Sequence, residues 1–109
     1  MKKYEPIDDK GNELKIEVYY DKGGMNYFSS KVDPRGYWLS IRAVQIERRE
    51  RSIVVESYPM FSGVRRFLLE VKKKSDKAEQ QALALAEELM EETKQHVLNE
   101  YVNKLKPTV

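Results

Sequence analysis

The chain has 109 residues, 40% of them apolar and 35% charged, with a formal net charge of +2 and no cysteine. This length fits one domain, and the lack of thiols excludes disulfides, cysteine nucleophiles and sulfur-ligated zinc or iron–sulfur sites. No run approaches the roughly 20 apolar residues of a membrane-spanning helix, and Met1-Lys2-Lys3-Tyr4-Glu5-Pro6 carries no apolar stretch behind its lysines, unlike a secretory signal. A cytoplasmic location is expected by exclusion.

The pattern predicts one α+β domain over 1–109, with flexible tails at 1–13 and 105–109, the first a loose lead-in or one clipped onto the sheet edge. Asp9-Lys10-Gly11-Asn12 reads as a turn inside the polar lead-in. Leu14, Ile16, Val18 and Tyr20 then alternate with Lys15, Glu17 and Tyr19, the period of a half-buried strand. Asp21-Lys22-Gly23-Gly24 is a reversal, since glycine accepts positive φ. A second strand is expected over 25–32. Asp33-Pro34-Arg35-Gly36 is a strong turn.

Residues 37–47 make the best strand. Tyr37, Leu39, Ile41 and Ala43 share one face, and Trp38, Ser40, Arg42, Val44 and Ile46 the other. Apolar residues on both faces indicate a central strand, or one whose second face is covered at one end. A charged turn, Arg48-Arg49-Glu50-Arg51, leads to a fourth strand at 52–58, which Pro59 ends. Together these give a four-stranded antiparallel β-meander over about 14–58.

Val64, Phe67, Leu68 and Val71 stand at i, i+3, i+4 and i+7, which predicts a short helix over 64–73. A fifth strand over 64–72 is the competing reading. Residues 76–104, rich in Ala, Leu, Glu, Gln and Met, predict a long helix packed on one face of the sheet and stopped by Pro107. At ~1.5 Å per residue it exceeds the width of four strands. Its far end is therefore expected to overhang and meet another subunit, or to break near Gln95.

Motifs that fix chemistry are lacking. His96 is the sole histidine, so no histidine-rich metal site is available. Gly23-Gly24 lacks the spacing of a phosphate loop. Neither an enzyme nor a cofactor is expected, and no small-molecule substrate can be named. Basic and acidic side chains number 11 and 9 over 1–51, 5 and 2 over 52–74, and 4 and 7 over 75–109, so a basic middle precedes an acidic helix.

Two functions fit this pattern. The first is a protein-interaction or structural module, a homodimer or a partner of another protein, with Met90, Val97, Leu98 and Tyr101 of the long helix as contacts. The alternative is single-stranded DNA or RNA binding through Tyr27, Lys31, Arg35, Trp38, Arg42, Arg48, Arg49 and Arg51, which interleave rings with cations. Four strands followed by helix resemble, in element order, the PUR and Whirly single-stranded nucleic-acid-binding folds. Residues 14–74 hold no signature stretch of those families and the stripe Val64–Val71 departs from their fourth strand, so no residue role is carried over.

Overall fold

The computed structural model describes residues 1–26, 31–50, 53–57 and 63–105. The chain is an α+β domain in which one long helix packs against an antiparallel sheet. Its strands are β1 (Lys2–Pro6), β2 (Asn12–Asp21), β3 (Gly24–Asn26), β4 (Lys31–Asp33), β5 (Gly36–Arg49), β6 (Ile53–Ser57) and β7 (Val64–Glu70), followed by α1 (Asp76–Leu105). The main sheet runs β1-β2-β5-β6, and β7 also pairs with β5.

The 14-residue β5 organises the sheet. β2 lines its whole first edge, from Asp21 opposite Gly36 to Asn12 opposite Gln45. Its second edge is shared, with β7 on residues 36–41 and β6 on residues 45–49. This register sets Leu14, Ile16 and Val18 across from Ala43, Ile41 and Leu39. All six are buried, with Tyr37, under α1.

Several expectations are corrected here. The sheet is not a simple meander, because β2 pairs directly with β5. The described ends of the expected 25–32 strand, β3 and β4, pair instead with each other as a separate two-stranded ribbon. Their Met25 and Val32 are 64% and 73% exposed, too little apolar surface on one face to displace β2 from β5. Gly23 (φ 70°) and Gly24 (φ 121°) make the turn into the ribbon, with Gly23 N–H donating to Asp21 Oδ1 at 2.8 Å.

Residues 64–73 are not helical, and β7 is the fifth strand of the competing reading. The pairing passes from Tyr37/Leu69 to Trp38/Phe67, so Leu68 is an extra residue, a β-bulge. The bulge lets Leu68 and Leu69 both pack on the core with Val64 and Val71. One inserted residue thus converts a two-residue period into spacings of three and four that imitate a helical stripe.

The lead-in 1–13 holds an edge strand rather than a loose tail. β1 pairs with β2 from Lys2 opposite Glu17 to Pro6 opposite Glu13. Asp8 accepts hydrogen bonds from Lys10 N, Asn12 N and Asn12 Nδ2, tying the next turn. Of the expected tail 105–109, Leu105 ends α1 and the remainder lies outside the described residues.

α1 begins at Ser75, whose Oγ accepts from Ala78 N at 3.1 Å, an N-cap with Asp76 and Glu79 in the first turn. Ala78, Ala82, Ala86, Thr93, Val97 and Tyr101 are buried. The alanines allow a close approach to the sheet. Thr93 Oγ1 donates to Leu89 O at 2.7 Å, so its buried hydroxyl has a partner.

The helix does not overhang up to Tyr101. Tyr37 OH donates to Ser75 O at its start, Lys94 Nζ lies 3.1 Å from Glu5 Oε2, and Tyr101 OH meets Asp8 near its end. The helix therefore runs along the strands. Strand length, about 47 Å for β5 at ~3.4 Å per residue, is the relevant measure, and it matches about 45 Å of helix.

Candidate functional site

Helix α1 covers one face of the sheet, and β5 residues 38, 40 and 42 point to the other. That second face divides into two halves of different character.

Toward β6 it is closed by ion pairs. Lys15 Nζ sits 2.8 Å from Glu56 Oε2 and 3.3 Å from Glu17 Oε1. Tyr4 OH donates to Glu56 Oε1, and that bond to a carboxylate raises the Tyr4 pKa. A flat sheet would hold β1 and β6 about 14 Å apart, three strand spacings, so Tyr4 reaching Glu56 means that the sheet curls here. The curl buries Val44 and Ile46 on this face, outside the main core. Arg48 grips buried Glu13 with both terminal nitrogens. The guanidinium holds the Glu13 carboxyl below its ordinary range, against the opposing pull of burial.

Toward β7 the face carries an aromatic row. Tyr19 is opposite Trp38, and Trp38 is opposite Phe67, so three rings on adjacent strands lie side by side. Trp38 and Phe67 centroids are 4.9 Å apart at 59°, the tilted geometry favoured by ring quadrupoles. Phe67 is 39% exposed. Arg65, also on this face, lays its guanidinium 3.6 Å from the Trp38 ring centroid. It donates to Tyr19 OH at 2.8 Å and to Asp21 Oδ2 at 2.6 Å. The cation is thus pinned flat over the indole. Trp38 Nε1 is buried and has no hydrogen-bond partner among the described residues, a donor that normally finds one. Beside the row, Tyr19, Ser40, Arg42, Gly63, Val64 and Arg65 line a cleft of about 370 Å³.

The residues expected on a nucleic-acid surface are therefore dispersed. Trp38 and Arg42 share the open half, both partly exposed. Arg35 is exposed at the strand end next to it, and Lys31 is exposed on the separate β3–β4 ribbon. Arg48 is committed to Glu13, and Arg49 pairs with Glu47 at 3.2 Å. Tyr27 and Arg51 lie outside the described residues. Phe67 and Arg65 were not in the expected set, because a helical reading of 64–73 puts Phe67 in the packed apolar stripe and Arg65 on the solvent face. The signal that could have found them was the alternation of Arg65 and Phe67 with Val64 and Arg66.

Of the four expected interface residues, Val97 and Tyr101 belong to the core of this chain, and Met90 and Leu98 are half-buried beside it. Among the described residues no group of acidic and histidine side chains could hold a metal ion. No described helix is long and apolar enough to cross a membrane. No protein-family model matches the chain, and neither a curated protein nor a solved structure matches it.

Proposed function

We propose that the chain binds single-stranded nucleic acid on the open half of the sheet. The observation that carries this reading is the row Tyr19–Trp38–Phe67 with Arg65 stacked on Trp38, on the face that the helix leaves uncovered. Bases stack on exposed rings and on arginine planes with little regard to sequence. Phe67 offers an exposed ring, and Arg65 offers a guanidinium plane already held flat. Ser40 and Arg42 in the adjoining cleft supply donors for a base edge or phosphate.

Trp38 is the only tryptophan, so intrinsic fluorescence reports on the site directly. Titration with single-stranded oligonucleotides is expected to quench it saturably. Phe67→Ala is expected to weaken binding by about 1–3 kcal/mol, the worth of one base–ring stack. No quenching and no polarisation change at protein concentrations on the order of tens of micromolar would overturn the reading.

One observation favours a second reading, self-association through α1. Met1, Gln80, Leu83, Ala84, Ala86, Glu87 and Met90 line a groove of about 410 Å³, mostly apolar, on the helix side. A symmetric dimer would bury such a surface. Light scattering that finds only monomer, for the native chain as for Leu83→Glu, would end this reading.

A further inference from the structure

Two cations of this face are already paired with acids: Arg65 with Asp21, and Lys15, further along in the closed half, with Glu17 and Glu56. A stacked strand also needs its phosphates neutralised. The charges without a described carboxylate partner lie beside the row, at the strand ends around Gly36. There the β2–β3 turn, the β4–β5 turn and the linker from β7 to α1 converge. Arg35 joins the three segments, with Nε donating to Lys22 O at 3.3 Å and Nη1 to Lys72 O at 2.9 Å. Val71 N donates back to Arg35 O at 3.2 Å. Lys22, Gly24, Asp33, Arg35, Glu70, Val71 and Lys72 line an open depression of about 510 Å³. Lys72, Lys73 and Lys74 are exposed. No described carboxylate pairs with Lys22, Arg35 or these three lysines, whereas Lys15, Arg48 and Arg65 on the sheet face are met by acids.

We infer that the sugar–phosphate backbone of a strand stacked on the aromatic row leaves the sheet over this basic end, held by Lys22, Arg35 and Lys72–Lys74. The inference rests on the stacking reading and assigns the strand's path. Distance supports it. Trp38 stands two residues inside Gly36, about 7 Å along the strand, or about two phosphate steps at ~3.4 Å each in a stacked strand. The opposite direction is closed, because there the face is occupied by Lys15, Glu56, Tyr4 and the Arg48–Glu13 pair. The helix N-terminus is not the anion site, since Ser75 caps it and Asp76 and Glu79 answer its dipole. The bound segment is therefore short, with bases on the row and phosphates on the lysines.

The test is the salt dependence of oligothymidine binding, read by Trp38 fluorescence between about 50 and 200 mM salt. For Lys72→Gln/Lys73→Gln/Lys74→Gln, the slope of log affinity against log salt is expected to become shallower by about 2, at ~0.7 per lost contact. Binding at low salt should weaken while saturating Trp38 quenching survives. Lys10→Gln/Arg49→Gln, which removes two exposed charges beyond the closed half, is expected to leave the slope unchanged. A triple variant with the native slope overturns the assigned path and leaves the stacking reading standing, and so does an equal per-charge effect of the control variant. Absence of quenching in the native chain overturns both.

Discussion

The two faces of the sheet come from the same alternating strands and end in different chemical states. On the helix side, Leu14, Ile16, Val18, Leu39 and Ile41 are buried against a seam of alanines and the half-buried Leu68 and Leu69. On the other side, half of the face is tied up by Lys15, Glu56, Arg48 and Glu13, while the other half keeps Trp38, Phe67 and Arg65 stacked at the surface. Neighbouring residues of β5 thus do different jobs. The burial of Leu39 stabilises the chain through area removed from water. Trp38 contributes cross-strand packing and keeps a buried indole N–H with no partner among the described residues, which is costly for stability alone.

Substitutions on consecutive residues would break or sharpen this contrast. The largest effect is expected from Leu39→Ala, about 2–5 kcal/mol from lost burial and the cavity left behind. Its neighbour Ser40→Ala, on the open face, should stay within about 0.5 kcal/mol. Urea unfolding of both variants measures the difference, and similar losses would mean that the two faces are equally packed.

Next in size is the helix cap. Ser75→Ala removes the acceptor for Ala78 N and is expected to cost about 1 kcal/mol, read as a lower urea midpoint with an unchanged slope. Ser75→Asp should restore most of that loss, because aspartate caps equally well.

A smaller effect is expected on the open face. Arg65→Lys keeps the charge but loses the flat plane over Trp38, costing about 0.5–1 kcal/mol of stability. Trp38 emission should shift, since the indole loses its cover. An unshifted spectrum would show that the guanidinium does not rest on the ring in solution.

The smallest effect is a pH slope from the closed half. Arg48 lowers the folded-state pKa of Glu13 from its ordinary 4.5. The unfolded chain therefore binds the proton more readily. The stabilisation is complete above about pH 4.5 and is lost as pH falls through the depressed folded value. Glu5, lowered by its bond to Lys94, adds to the same trend. Glu13→Gln should flatten the decline in urea midpoint below pH 4.5, and an undiminished decline would remove the Glu13–Arg48 pair as a cause.

Part of the candidate site was legible in the sequence. Alternation places Trp38 and Arg42 on one face of β5 and Leu39 and Ile41 on the other, and β5 with covered patches on both faces is the central strand expected. Arg65 and Phe67 were not legible as sheet residues, because the bulge at Leu68 disguises β7 as a helical stripe. The pairing of Arg48 with Glu13 could not be read either, since 35 positions of chain separate them.

What the sequence determined by itself is periodicity: strands over most of 14–57, one long helix from Ser75, and glycine turns at 23–24 and 36. These follow from local sterics and from side chains alternating along each strand. Tertiary structure alone decided that β2 rather than 25–32 lies beside β5, that 64–70 shares its edge with β6, and that α1 covers the Leu39 face rather than the Trp38 face. Those choices depend on which apolar surfaces fit together across long stretches of chain. The competing arrangements have the same local period, and only the total area buried distinguishes them.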